Sequence, residues 1–319
     1  MNNIHNNIPL IYPIVQVINN AKNLFEIALT PEQHKQAFDK GLERGLILQM
    51  DWSPIKEIAS LNNDSQICLH ANFCQFLWTL NYATLIIHDC YYIKEGIRNG
   101  EGISKEEASF LFDEALKMFQ NALLMFHPKD TNREEMKAQR GPMFEYANPY
   151  NKQNRYTDIA NEMTISGIAY LLHHEFGHFI YEHDDSTPKT ETEADDHGFR
   201  AILNWGNKHK DDNKTLENIL LIGAMMALVA TAFQNTDLAG QSHPDIDIRI
   251  ENLFRTYQAI SGQEIYDSTL KILITAIDLW SSATQNEKPN IDPHLSPKEY
   301  LCRIREEFIL PIKRKVKII

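Results

Sequence analysis

The sequence predicts an α+β chain, predominantly α-helical, with a small N-terminal sheet and a helical C-terminal part. Two patterns carry this reading. Alternating stretches cluster early: "GLILQMDW" (45–52) sets Leu46, Leu48, Met50 and Trp52 against more polar neighbours, and "SQICLHA" (65–71) follows the turn-like "LNNDS". Helical patterns dominate late, at about 160–182, 190–207, 215–234, 246–260, 267–283 and 297–309. Strands first and helices afterwards favour α+β over a doubly wound sheet.

Taken in order, the two alternating stretches suggest a short hairpin. From Phe73, the residues Phe76, Leu77, Leu80, Ala83, Ile86 and Ile87 fall at helical spacing towards Tyr92. Ser104 and Glu107 have the S-x-x-E form of a capping box and open a pattern through Phe110, Leu111, Leu116, Phe119 and Leu123. The polar stretch 128–158, with Pro142, Pro149, Tyr146, Tyr150 and Tyr156, reads as a long surface loop, the alternative being the border of a substrate groove. Ile219 to Phe233 is uncharged over 15 residues. A spanning helix usually needs about 18 or more, so a buried central helix is expected.

A chain of 319 residues with 43% hydrophobic content can build a large core. Acidic residues outnumber basic ones by 43 to 31, for a net charge of -12, which argues against nucleic acid as a partner. The first positively charged side chain is Lys22, and Pro9 and Pro13 interrupt the apolar part before it, so no secretion signal is expected and the location expected is cytoplasmic, without membrane contact. Cys68, Cys74, Cys90 and Cys302 form no C-x-x-C pair and read as reduced thiols rather than a disulfide framework or thiolate metal site. Lys313, Arg314, Lys315 and Lys317 read as a solvated helix end, with contact to an acidic partner or a membrane surface as the alternative.

The chemistry is concentrated in "LLHHEFGHFI" (171–180), which contains H-E-x-x-H at His174, Glu175 and His178. Residues four apart share a helix face, so both imidazoles can address one ion, with Glu175 beside them. Ile165, Ile168, Leu171, Leu172, Phe176, Phe179 and Ile180 place this helix inside the protein, where polar groups need partners. Downstream, Thr190 and Glu193 form a T-x-x-E pattern, so a second helix is expected from about Glu191. A catalytic zinc site with two histidines and a glutamate needs a carboxylate from elsewhere and an open position for water. Glu191 is the preferred ligand, with Asp195 at i+4 able to hold the outward nitrogen of a ligating histidine; Glu193 is the rival. Glu175 is the expected general base. His173, His183 and His197 read as structural or solvent-facing, and Asp184 and Asp185 as loop decoration.

"IAYLLHHEFGHFIYEH", then "ETEADDHGFRAIL", then "SHPDIDIRI", resembles the phage-exclusion metallopeptidases typified by Lit. The resemblance runs from about residue 65 to 260; the division expected is a poorly matched segment 1–60 and a zincin-like peptidase domain 61–319. The same order of motifs is similar to the wider group of HtpX-like and CaaX-prenyl peptidases, although this chain lacks their set of spanning helices. The resemblance implies a gluzincin arrangement: one zinc ion held by His174, His178 and Glu191, with His243 and Arg249 at or near the active site. His243 is then the expected oxyanion donor, against a plain turn role before Pro244. Arg249 suits a bidentate pair with Asp195 or Glu175, against a surface ion pair.

The function implied is a zinc endopeptidase cutting a specific intracellular protein, elongation factor Tu in the Lit-like family, during phage exclusion or abortive infection, under a phage-derived trigger. Two alternatives remain at this stage. One is a non-catalytic regulator that keeps the metal as a staple, and the other is a peptidase that processes a repressor or toxin partner.

Overall fold

The structure is a computed structural model that describes residues 14–39, 47–49, 58–61, 66–93, 105–126, 155–209, 214–234 and 244–316. In chain order the elements are α1 (Val15–Ala28), α2 (Pro31–Asp39), β1 (Ile47–Gln49), β2 (Ala59–Leu61), β3 (Ile67–His70), α3 (Ala71–Ile93), α4 (Lys105–Phe126) and α5 (Arg155–Tyr181). Then follow α6 (Pro188–Lys208), α7 (Lys214–Ala232), α8 (Ile246–Ser261), α9 (Asp267–Thr284), α10 (Pro297–Ile304), a π-helical turn (Arg305–Ile309) and α11 (Leu310–Val316). The described architecture is predominantly helical with one small sheet. The stretch 128–154, His243 and Ser104 of the expected capping box lie outside the described residues, so the loop reading of 128–158 meets the structure only at its end, where Tyr156 and Asp158 fall in the first turn of α5.

The sheet has three strands in the order β1-β3-β2. The expected hairpin between 45–52 and 65–71 is corrected here: β1 pairs with β3 in parallel, Ile47 opposite Cys68. The antiparallel partner of β3 is β2, with Ser60 opposite Cys68. The chain thus changes direction between β2 and β3; residues 62–65 of the "LNNDS" stretch lie outside the described residues. β3 is therefore central and buried along its whole length, as a strand covered on both faces must be.

The helical part is organised around α5, whose residues 163–174 are buried without interruption. A helix apolar on all sides belongs at the centre of a helical layer. It packs against α1, α3, α6 and α7. Within it the buried Thr164 hydroxyl is satisfied twice: Thr164 Oγ1 donates to the Ala160 carbonyl (2.6 Å) and accepts from Asn81 Nδ2 (2.9 Å). The uncharged segment 219–233 is the expected buried helix, α7. No helix among the described residues is long and apolar enough to cross a membrane.

The α5–α7 crossing is a backbone contact. A Cβ on Gly167 would stand 2.7 Å from the Gly223 carbonyl oxygen, and one on Gly223 would run into the Met163 carbonyl and the Ser166 side chain. Backbone cannot move aside as a side chain end can, so added volume here acts as overpacking. Gly223→Ala is expected to lower stability by about 3 kcal/mol, seen as a lower urea midpoint with an unchanged slope.

Two further segments differ from expectation. α6 begins at Pro188, not at Glu191: Thr187 is the N-cap and Thr190 its reciprocal partner, with Thr190 N–H donating to Thr187 Oγ1 (3.3 Å) and Thr187 N–H to Thr190 Oγ1 (2.9 Å). Pro188 at the first helical position loses nothing by lacking an N–H, and its fixed φ suits the helix. The T-x-x-E start at Thr190 and Glu193 is one turn late. Lys313 is not part of a solvated helix end. It is buried, with Nζ 2.6 Å from Asp245 Oδ2 and 2.7 Å from Asp247 Oδ1, where it ties α11 to the start of α8.

Candidate metal centre

α5 places His174 and His178 one turn apart, and Gly177 between them lets α6 come close. A Cβ on Gly177 would lie 3.1 Å from Ala194 Cα and 3.2 Å from His197 Cβ. At that approach the first two turns of α6 deliver Glu191 and Asp195 to the same face of α5.

The result is a triangle of donor atoms. His174 Nε2 and His178 Nε2 are 3.3 Å apart; Glu191 Oε2 is 3.3 Å from the first and Glu191 Oε1 3.6 Å from the second. Ligands about 2.0–2.1 Å from a tetrahedral zinc ion are separated by about 3.3–3.4 Å. His174, His178 and Glu191 therefore have the separation that a shared ion requires, and they form the candidate metal-binding group among the described residues. Ser186 Oγ donates to Glu191 Oε1 at 2.6 Å, which fixes the carboxylate's rotation.

The charge balance points the same way. Glu175 acts electrostatically on His174, and Glu191 and Asp195 bond to it directly. Asp195 and Glu191 act on the Arg249 guanidinium, and Glu175 adds a third carboxylate near His174, so acidic groups outnumber the one permanent cation here. Burial disfavours the imidazolium of His174, yet hydrogen bonds with Asp195 and Glu191 outweigh it and push its pKa up to about 9. The pocket demands positive charge.

Asp195 organises the inner side. Its Oδ1 accepts from Tyr170 Oη (2.6 Å), and His174 Nδ1 lies 2.9 Å from the same oxygen. Arg249 grips both oxygens, Nε to Oδ2 and Nη2 to Oδ1, each at 2.7 Å. Burial would raise the Asp195 pKa, but the Arg249 charge and the hydrogen bonds from His174 and Arg249 hold it well below the usual carboxylate range. Of the two carboxylates open to Arg249 in the sequence, Asp195 is the one it pairs with, and the pair is buried.

Exposure is uneven in a useful way. His174 and Glu191 side chains are only 5% and 3% exposed, while His178 keeps 15% and Glu175 is half-buried. The triangle is most buried at His174 and Glu191 and least buried at His178, with Glu175 beside it also partly exposed.

Two residues near the site, Tyr170 and Ser186, carry no role in the sequence reading, and a third, His183, reads there as structural or solvent-facing. Tyr170, four residues before His174 on the same face of α5, donates to Asp195; that spacing is its only signal. Ser186 steadies Glu191 from the loop. His183 stands against His178, Nδ1 to Nδ1 at 2.9 Å. His173 and His197 are not part of the triangle: His173 packs on Phe25 of α1 at 4.6 Å between ring centroids, and burial pushes the two pKa values down to about 3 and about 4. Glu193 faces His183 rather than the ligand triangle. Asp184 and Asp185 are exposed. The position of His243 lies outside the described residues. A separate apolar cavity of about 460 Å³ lies between α8, α9 and α10, lined by Ile250, Phe254, Leu273, Trp280 and Ile309, and includes none of the triangle.

Comparison with known families decides the class of the chain. The model of the peptidase U49 family matches residues 67–269, from β3 to the start of α9. The chain belongs to the peptidase U49 family. The matched span contains every residue of the triangle, together with Tyr170, His183, Asp195 and Arg249, whereas α1 of this U49 peptidase lies before it and still packs on α5. No curated protein and no solved structure matches the chain.

Proposed function

We propose that this U49 peptidase is a zinc-dependent endopeptidase of the gluzincin, zincin-like type, acting in the cytoplasm as the Lit-like enzymes do. The observation that carries the proposal is the triangle of His174, His178 and Glu191, spaced for one small tetrahedral ion and least buried at His178. These three residues would hold the zinc. A zinc ion there would supply the Lewis acidity that activates water and polarises a carbonyl.

The rest of the chemistry falls to the chain. Glu175, half-buried next to His174, would take a proton from the attacking water and return it to the departing amine. Asp195, held by Arg249 and Tyr170, keeps the proton of His174 on Nδ1 and so leaves Nε2 free for the metal. His243, directly before Pro244 and ahead of the Arg249 that grips Asp195, remains the proposed oxyanion donor on the strength of the family resemblance.

For the substrate, the resemblance to Lit-like enzymes supports elongation factor Tu and a role in phage exclusion, with a phage-derived trigger. Purified protein is expected to carry one zinc ion per chain and to lose it in His174→Ala. Incubated with elongation factor Tu and lysate from phage-infected cells, it is expected to produce one new pair of fragments that disappears under chelation and returns with zinc. A protein that takes up no zinc removes the metallopeptidase reading; a factor left intact in every condition removes the substrate while leaving the chemistry standing.

A further inference from the structure

A ligating imidazole has a second ring nitrogen, and the partner of that nitrogen sets both tautomer and ring angle. His174 has Asp195 for this purpose. His178 has another histidine: His183 Nδ1 lies 2.9 Å from His178 Nδ1, and His183 Nε2 lies 3.1 Å from Glu193 Oε2.

The direction of this chain follows from its end. A carboxylate only accepts, so neutral His183 carries its proton on Nε2 and donates it to Glu193. Its Nδ1 is then bare and accepts from His178. His178 therefore carries its proton on Nδ1, and its Nε2, the atom facing His174 and Glu191, is unprotonated. That is the tautomer a metal ligand needs.

The backbone is shaped to make this contact. α5 ends at Tyr181, and Glu182 turns into the left-handed region with φ 55°, a place where glycine is the usual residue. The His183 N–H then bonds back to the His178 carbonyl at 3.1 Å, the six-residue closure of a Schellman turn. The two rings meet at 5.0 Å between centroids and 74° between planes. A glutamate in this conformation costs about 1 kcal/mol or more, so the turn persists because its contacts hold it.

We infer that His183 and Glu193 are positioning residues for His178, doing behind the second histidine what Asp195 does behind the first. The inference rests on the ligand set of the proposed function. It assigns α6 three tasks at alternate positions: Glu191 for the ion, Asp195 for His174, and Glu193 for His178 by way of His183.

Chelator-competition titration with zinc tests it on the full chain. His183→Phe, which fills the space without an acceptor, is expected to weaken zinc affinity about 10- to 100-fold. His183→Asn, whose side-chain oxygen takes the place of Nδ1, is expected to recover most of the loss, and the visible spectrum of the cobalt-loaded protein should change in the Phe variant and return in the Asn variant. Glu193→Ala, at a half-exposed carboxylate, keeps the test available if His183→Phe does not fold; it should weaken zinc binding, while Lys189→Ala, which removes only the other partner of Glu193, should not. If native protein binds zinc, His174→Ala loses it, and neither His183→Phe nor Glu193→Ala changes affinity or spectrum, this inference falls and the ligand set survives. If native protein binds no zinc, both fall.

Discussion

Glu175→Gln is expected to lower peptide hydrolysis by about 1,000-fold, within the range of about 100 to 10,000 that general acid–base catalysis contributes, while zinc binding stays at one ion per chain. The expectation separates two roles that the sequence places side by side. Glu175 follows His174 directly and so points well around α5 from it, whereas Glu191 arrives from α6 with its oxygens 3.3 and 3.6 Å from the two Nε2 atoms. Glu191 belongs to the candidate triangle, and Glu175 stands next to it. A glutamine keeps the size and loses only the capacity to accept a proton. The fall should therefore appear in kcat with little change in KM, because the group acts in the transition state rather than in holding the substrate. Metal content and turnover measured on one preparation check it. A variant that loses zinc would move Glu175 into the ligand set; one that retains native turnover would place the base elsewhere.

The parts of the site that were legible in the sequence are those set by local periodicity. Two histidines four apart must share a face of a helix, and Glu191 with Asp195 repeat the same rule on the next helix. What the sequence left open depended on distance along the chain or on unsignalled backbone. Arg249 meets Asp195 across 54 positions, and residue types alone allowed Glu175 or solvent instead. Lys313 reaches Asp247 across 66, so a basic cluster near the chain end looked solvated. The pairing of β1 with β3 in parallel is equally non-local, and a turn between two alternating stretches suggested the simpler hairpin. His183 was hidden for a different reason. The left-handed turn that folds it onto His178 is made by Glu182, where no glycine marks it. α6 shows the limit of local reading too: both T-x-x-E at 190–193 and T-P-x-T at 187–190 are start signals, and the proline decided between them.

Arg249→Met is expected to destabilise the fold by about 3–5 kcal/mol, the range for removing one partner of a buried ion pair. The size follows from what remains. Asp195 is buried and would keep its bonds to Tyr170 and His174, but the guanidinium that contacts both of its oxygens would be gone. Asp195 would then have to stay charged in a desolvated place or take up a proton, and either choice weakens its hold on His174. Against a total stability of about 5–15 kcal/mol, a loss of this order is severe. Arg249→Lys should lose less, since a charge remains, but it should not restore the native value, because an ammonium group is a point charge and has no planar fork. Asp195→Asn combined with Arg249→Met should recover part of the loss, because the uncompensated charge is gone from both sides. Urea denaturation of the three variants without metal measures these differences apart from catalysis. If Arg249→Met unfolds at the native urea concentration, the pair contributes nothing to joining α6 and α8. If instead stability falls as expected, the His174 and His178 face of α5 is held in shape by a helix that begins 68 residues after His178, which explains why a candidate site built on local spacing still needs the whole helical layer.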